Sequence, residues 1–270
     1  MTDPSPAGAV SPRLLEANLA TAEAIAALLR ERPPAEAPIP GLTWTVGEAA
    51  AHLVLANHLM AELATGLDRP YGDGTPGSIA AANEEGLALY QERRPAVLAH
   101  ELLRHTRTFA EACESRPADQ QVLTPMGPMD LGTLQSYLLT HMLGHGWDLA
   151  RALHRPHMVT AERVELSMPF LLTAMPRVVD PARAARLRAD FALGLRGGPR
   201  YGVSFADGAV TVHQQAPRRP DCTIVCEPLT FFLLALGRRT PLGALVPGRT
   251  FAWGRRPWLA PRFPTYFRAP

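Results

Sequence analysis

The sequence predicts a two-part chain, α followed by α+β: a helical N-terminal domain over residues 1–180 and a smaller α+β domain over residues 181–270. Three observations predict it. Apolar residues recur at intervals of three and four through the first part, the period of a helix with one buried face. Beyond about Leu187 they alternate, the period of a strand. Between Pro176 and Asp190 the composition shifts to the arginine-rich, proline-containing DPARAARLR, where few contacts are expected to cross. The length of 270 residues accommodates two modest domains, and 47% hydrophobic against 19% charged residues is ordinary globular composition.

Each element has a local justification. From Pro12 to Arg30, Leu14, Leu15, Leu19, Ala22, Ile25, Leu28 and Leu29 form one stripe of an amphipathic helix. RPPAEAPIPG then forbids helix, because each proline lacks a donor and restrains the residue before it. Thr45 and Glu48 read as a capping box that opens a second helix running without a breaker to Ala64. Glycines and prolines from Gly66 to Gly77 make a long loop. A third helix is expected from about Ser78 to Tyr90, continuing or restarting after Pro95 as far as Cys113. Ser115 to Asp130, with LTPMGPMD, reads as loop with a β-turn. Thr133 is the expected cap of a fourth helix that His154, Arg155 and Pro156 stop, and Ala161 to Met175 gives a further helix bounded by Pro176. In the second part Phe191 to Leu195, Tyr201 to Phe205 and Val210 to Val212 alternate, and Asp207-Gly208 between two such runs signals a hairpin. Cys222 to Cys226 reads as a strand, Leu229 to Leu236 as a short helix ending at Gly237, and Phe251 to Trp253 as a last strand before a proline-rich tail. No internal repeat is present.

Composition excludes several function classes. The 27 basic residues, all arginine, against 25 acidic ones leave +2, too little for a protein whose affinity rests on neutralising nucleic-acid phosphates. The lack of lysine fits the coding bias of a high-GC bacterium. The greasiest stretch, Leu229 to Leu236, is less than half of the roughly 20 residues a membrane helix needs, so no membrane partner is expected. MTDPSPAGAVSPR carries acid and proline where a secretory signal has basic residues before an apolar block. Cys113, Cys222 and Cys226 are odd in number and widely spread, which indicates buried thiols and a reducing cytoplasm.

The chemistry rests on the nine histidines. His141 and His145 are four apart on one helix, so their rings project from one face. That spacing chelates a divalent ion of the zinc type, which takes imidazole nitrogens and in catalytic sites keeps one position open; it equally suits two hydrogen-bonded histidines. His52 shares a side of its helix with Leu55 and Leu59, the side expected to face the bundle core, and supplies a third ligand if the two helices pack antiparallel. Asp148, three residues after His145, can orient a ring from behind or serve as an ordinary surface acid. His58, His100, His105, His154, His157 and His213 read as structural or solvent-facing, and Trp44 and Trp147 as packing residues.

GLTWTVGEAAAHL, followed some ninety residues later by HMLGHGWDLARAL, resembles the N-terminal domain of the mycothiol-dependent maleylpyruvate isomerase family, a branch of the DinB superfamily of four-helix metalloproteins. The C-terminal part, with VSFADGAVTV and LTFFLLALGRR, resembles the sterol-carrier-protein-like domain often fused to it. The resemblance implies a DinB-like four-helix bundle over 1–180, a sterol-carrier-like domain over 181–270, and a metal held by His52, His141 and His145. Isomerase-type members commonly place a glutamate where this chain has His141, so three neutral ligands make the site more cationic than the family pattern. It further implies Zn2+ as the divalent ion, mycothiol or another small thiol as cosubstrate, Arg238 and Arg239 as candidates to bind an anionic substrate, and Asn83 and Asp148 as pocket and supporting residues.

The function so implied is a thiol-dependent isomerase or S-transferase. A thiol normally near pKa 8.5 is activated as thiolate and adds to a small unsaturated or electrophilic metabolite. Two other classes remain open at this point: a lipid or hydrophobic-ligand carrier built on the C-terminal domain, and a metal-dependent hydrolase that activates water. The expected partners are a small substrate and a thiol, with no nucleic acid and no membrane, for a cytoplasmic monomer or homodimer.

Overall fold

The computed structural model describes residues 11–244 and 248–268. The expectation of no secretory leader therefore falls largely on residues 1–10, outside the described residues. The chain divides into two units, Met1–Val159 and Thr160–Pro270. That division lies ahead of the 180/181 boundary read from periodicity. The reason is the helix after residue 160: its apolar side, with Val164, Met168, Leu171 and Leu172 buried, packs on a strand and a helix of the second unit.

In the first unit α1 (Pro12–Arg30) starts at Ser11, whose side chain accepts from the Leu14 N–H, with Pro12 at the position where a missing donor costs nothing. The proline-rich segment after it folds back against the start of α2 (Val46–Thr65): the Ile39 N–H donates to the Trp44 carbonyl at 3.0 Å and the Val46 N–H to the Ala37 carbonyl at 2.8 Å. These bonds fix Trp44 just before the helix. The capping box is present, with the Thr45 N–H donating to Glu48 Oε2 at 2.8 Å and the Glu48 N–H to Thr45 Oγ1 at 3.3 Å. Gly66, at φ +86°, ends α2 in the left-handed region that glycine tolerates.

The expected third helix is two helices, α3 (Ile79–Leu89) and α4 (Pro95–Glu114), because the chain becomes extended at Tyr90 and restarts with Pro95 in the first turn. The segment expected as loop contains a hairpin, β1 (Gln121–Thr124) with β2 (Gly127–Asp130), closed by Pro125-Met126. Asp130, and not Thr133, caps α5 (Leu131–Ala152): its Oδ1 accepts from the Thr133 N–H at 2.6 Å. Four helices make the bundle, with α1 and α2 each packed against both α4 and α5, while α3 lies on α2. Ile25, Leu29, Leu53, Leu98, Leu102, Phe109, Leu134 and Leu138 are fully buried in it.

The second unit begins with α6 (Ala161–Val178), which runs through Pro176 rather than ending at it, and α7 (Pro181–Ala184). Its sheet contains β3 (Ala189–Leu195), β4 (Arg200–Ala206), β5 (Ala209–His213), β6 (Cys222–Cys226) and β7 (Thr250–Trp253) in the order β5-β4-β3-β6-β7. Among the described residues only the β3/β6 pair is parallel. Asp207 and Gly208 turn between β4 and β5 at φ +51° and +78°, the signs a two-residue type I′ hairpin requires. α8 (Pro228–Ala235) follows β6, α9 (Pro241–Ala244) precedes β7, and a 3-10 run over Pro257–Tyr266 ends the described chain. Phe191, Phe205 and Phe263 meet edge to face at 4.9 to 5.9 Å in its core. All three cysteines are buried and unpaired with one another. Among the described residues no helix is long and apolar enough to cross a membrane.

Candidate metal centre

His52 stands in the second turn of α2, and His141 and His145 stand one turn apart on α5, against which α2 packs. Alanines 49 to 51 keep the first turns of α2 slim and are fully buried, so the two helices can approach closely there. The three rings consequently form a near-equilateral triangle: centroid separations are 4.8 Å for His52 and His141, 4.8 Å for His52 and His145, and 4.7 Å for His141 and His145. One nitrogen of each ring lies within 4.8 Å of the other two. His52 is 5% exposed, and the other two are half-buried.

One pair of donors already stands at the spacing of ligands on a single ion, whereas the full set spans up to 4.8 Å, beyond the roughly 4.1 Å that two nitrogens on one ion can reach, so a bound ion would draw the rings together. Two imidazole nitrogens bound at about 2.0–2.1 Å stand about 2.9 Å apart at a right angle and about 3.4 Å apart at the tetrahedral angle. His52 Nε2 and His141 Nε2 are 2.8 Å apart, near the first of these values. Behind the triangle, His145 Nδ1 faces Asp148 Oδ2 at 3.4 Å, and Asp148 is only 4% exposed. A buried carboxylate thus stands on the Nδ1 side of the ring at ion-pair distance, the side from which carboxylates commonly support metal-binding histidines.

Trp44 covers the triangle from the α2 side, its ring 4.7 Å from that of His52 and 5.7 Å from that of His145. Sequence reasoning assigned it to packing; its adjacency to the capping residue Thr45 was the available signal. Tyr137, one turn before His141 on α5, was also missed. It is buried, and burial and then the neighbouring Tyr71 hold its hydroxyl well above the ordinary tyrosine range. Asn83 on α3 accepts a hydrogen bond from the Tyr71 hydroxyl, which ties α3 to the Gly66–Gly77 loop.

Arg238 and Arg239 belong to the second unit. There Arg238 Nη1 donates to the Leu236 carbonyl and Arg239 Nη1 to Thr230 Oγ1, both at 2.8 Å, closing the end of α8. Two other histidines meet away from the triangle. His58 on α2 and His105 on α4 have ring centroids 4.3 Å apart, and His105 is 5% exposed. Burial, reinforced by His58 and Arg104, pushes the His105 imidazole down to about 4. The remaining rings serve locally, as where His157 lies against Trp147 at 4.6 Å.

Comparison with known proteins locates this architecture. Residues 14–150, just over half of the chain and all three histidines, match the family model described as the mycothiol maleylpyruvate isomerase N-terminal domain. The fold resembles the crystal structure of a mycothiol-dependent maleylpyruvate isomerase, at 15% identity and a TM-score of 0.51 over 89% of this chain and 91% of that one. A histidine-to-alanine mutant of a mycothiol-dependent maleylpyruvate isomerase matches at 15% identity and a TM-score of 0.53, over 88% and 95% respectively. No curated protein sequence matches the chain.

Proposed function

The chain belongs to the mycothiol maleylpyruvate isomerase N-terminal domain family, and on that premise we propose that it is a thiol-dependent enzyme of the isomerase or S-transferase type. In this proposal His52, His141 and His145 hold a divalent ion of the zinc class, and mycothiol or a similar small thiol is the cosubstrate. The single observation that carries the reading is the convergence of three imidazoles from two helices, with one nitrogen of each inside a 4.8 Å span.

Bound there, the ion would lower the pKa of a coordinating thiol and make its thiolate available near neutral pH. The chain's own residues do the rest. Asp148, 3.4 Å from His145 Nδ1, is placed to accept a hydrogen bond from that nitrogen once the ring takes a ligand through Nε2. Trp44 lies against the His52 and His145 rings and excludes water from that side. Tyr137, one turn before His141 on α5, stays protonated through burial. The reaction class is nucleophilic addition of the cosubstrate sulfur to an activated double bond or other electrophilic carbon. Addition, rotation and elimination of the same sulfur isomerises the substrate, whereas addition alone transfers the thiol.

The test is elemental analysis of the purified wild type beside His145→Ala, each then titrated calorimetrically with mycothiol. The expected result is about one divalent ion per wild-type chain, little in the variant, and thiol binding that follows the metal. Equal metal content in the two proteins overturns the proposal.

A further inference from the structure

The two units carry opposite charge. Residues 160–270 contain sixteen arginines and seven acids, which leaves +9, and residues 1–159 contain eleven arginines and eighteen acids, which leaves −7. Four arginines of the second unit, Arg200, Arg218, Arg219 and Arg255, border one recess of about 540 Å³ on its sheet, and no acidic residue lines it. That volume lies within the range of small-ligand pockets, roughly 300–1,000 Å³.

Strand register explains the recess. Gly202, Ala192, Thr223 and Trp253 stand side by side across β4, β3, β6 and β7, so all four present the same face. Small side chains at Ala192 and Thr223 make a low floor, and Trp253 at the sheet edge makes a wall. Gly202 lets the segment 214–220 close over the opposite side: a Cβ there would stand 2.8 Å from the Gln215 carbonyl oxygen and 3.3 Å from Pro217 Cδ. Trp253 is 45% exposed, and the Arg200 guanidinium lies over one face of its ring, 5.3 Å from the centroid. Arg255 is shared with Asp221 at 2.9 Å. Among the described residues no hydrogen bond or ion pair engages the exposed side chains of Arg218 and Arg219.

From this geometry we propose that the recess binds a planar aromatic ligand carrying phosphate groups, of mononucleotide size. With a guanidinium over one indole face, a flat ring would stack on the other face or on the guanidinium plane itself. Guanidinium forks pair bidentately with phosphate oxygens, and a single carboxylate would compensate only one of the three guanidiniums that Asp221 does not engage. The recess is built wholly from residues of the second unit, and the histidine triangle from residues of the first.

The experiment is calorimetric titration of the full chain with ADP, with adenosine and inorganic pyrophosphate as separate arms. Saturable ADP binding is expected, with adenosine and pyrophosphate each at least about tenfold weaker. Losing two charge-assisted phosphate contacts in the double variant Arg218→Gln/Arg219→Gln is expected to weaken ADP by about tenfold or more, and Trp253→Ala to weaken it comparably. His145→Ala is expected to bind ADP as the wild type does. Both arginines are exposed, and a thermal melt matching the wild type keeps the double variant interpretable. Absence of saturation at millimolar ADP, unchanged affinity in the arginine variant, pyrophosphate binding as tightly as ADP, or loss of binding in His145→Ala would each overturn the assignment.

Discussion

His52 Nε2 and His141 Nε2 stand 2.8 Å apart although 89 residues separate them in the chain. At that distance two lone pairs repel each other unless a proton or a cation lies between them, so the contact is a demand as much as a bond. The bundle enforces it by packing α2 on α5. Its third member, His145, adds a further nitrogen and brings a carboxylate of its own in Asp148.

Removing the ion is expected to destabilise the first unit. A ligand present at about a thousand times its dissociation constant contributes about 4 kcal/mol to the folded state. Dialysis against a chelator should therefore lower the melting temperature by several degrees, and restoring a stoichiometric divalent ion should recover it. A melt unaffected by chelation and by added zinc would count against a resident metal.

Asp148→Asn is expected to reduce metal affinity by roughly 10- to 100-fold while leaving the fold intact, because the amide keeps the volume and loses the charge that orients His145. Competition with a chromogenic chelator measures it. Affinity equal to wild type would make Asp148 a packing residue.

The His58–His105 pair makes stability pH-dependent. In the folded protein His105 sits near pKa about 4, below the ordinary 6.5, so the unfolded chain binds the extra proton between these values. Stability is therefore retained above about pH 6.5 and lost as pH falls toward 4, by at most about 3 kcal/mol from this residue. Denaturant melts from pH 7 to 4 should show the decline, and His105→Gln should flatten it. Glu101, at 3.7 Å from His105 Nε2, opposes the shift, so Glu101→Gln should steepen the decline.

Much of this was legible in the sequence where local chemistry and tertiary packing agree. The Thr45/Glu48 box, the Asp207-Gly208 turn and the 3.6-residue stripe of α1 each specify their element without help from the rest of the chain. The histidine triangle was legible only in part: spacing paired His141 with His145, but bringing His52 to them required the resemblance or the packed bundle. What escaped reading depends on contacts distant in sequence. The β1/β2 hairpin has four-residue strands, too short to display alternation, and Pro128 within it argues locally against a strand. α6 carries a helical stripe like any other, and nothing local says that its stripe meets a sheet. Thr133 lost the capping position to Asp130, which stands at the end of a strand that could not be read.

Thr45→Ala is expected to cost about 1 kcal/mol, the usual value of an N-cap side chain, and Glu48→Ala a similar amount, since each completes the other's bond. Because Trp44 precedes the cap, the Thr45 variant should also loosen the indole against His52. Chemical denaturation gives the energy, and a shift in tryptophan emission reports the second effect. Unchanged stability in both variants would show the box to be redundant with the backbone bonds of residues 37 to 47.

The position of Trp44, its ring 4.7 Å from that of His52, gives the protein an internal optical reporter. An indole in van der Waals range of an imidazole changes its quantum yield when that imidazole gains charge or binds an open-shell ion. The residue that lies against the triangle is thus placed to report on it, and protonation of His52 or loading with an open-shell ion is expected to change the Trp44 contribution to the emission of the unlabelled chain.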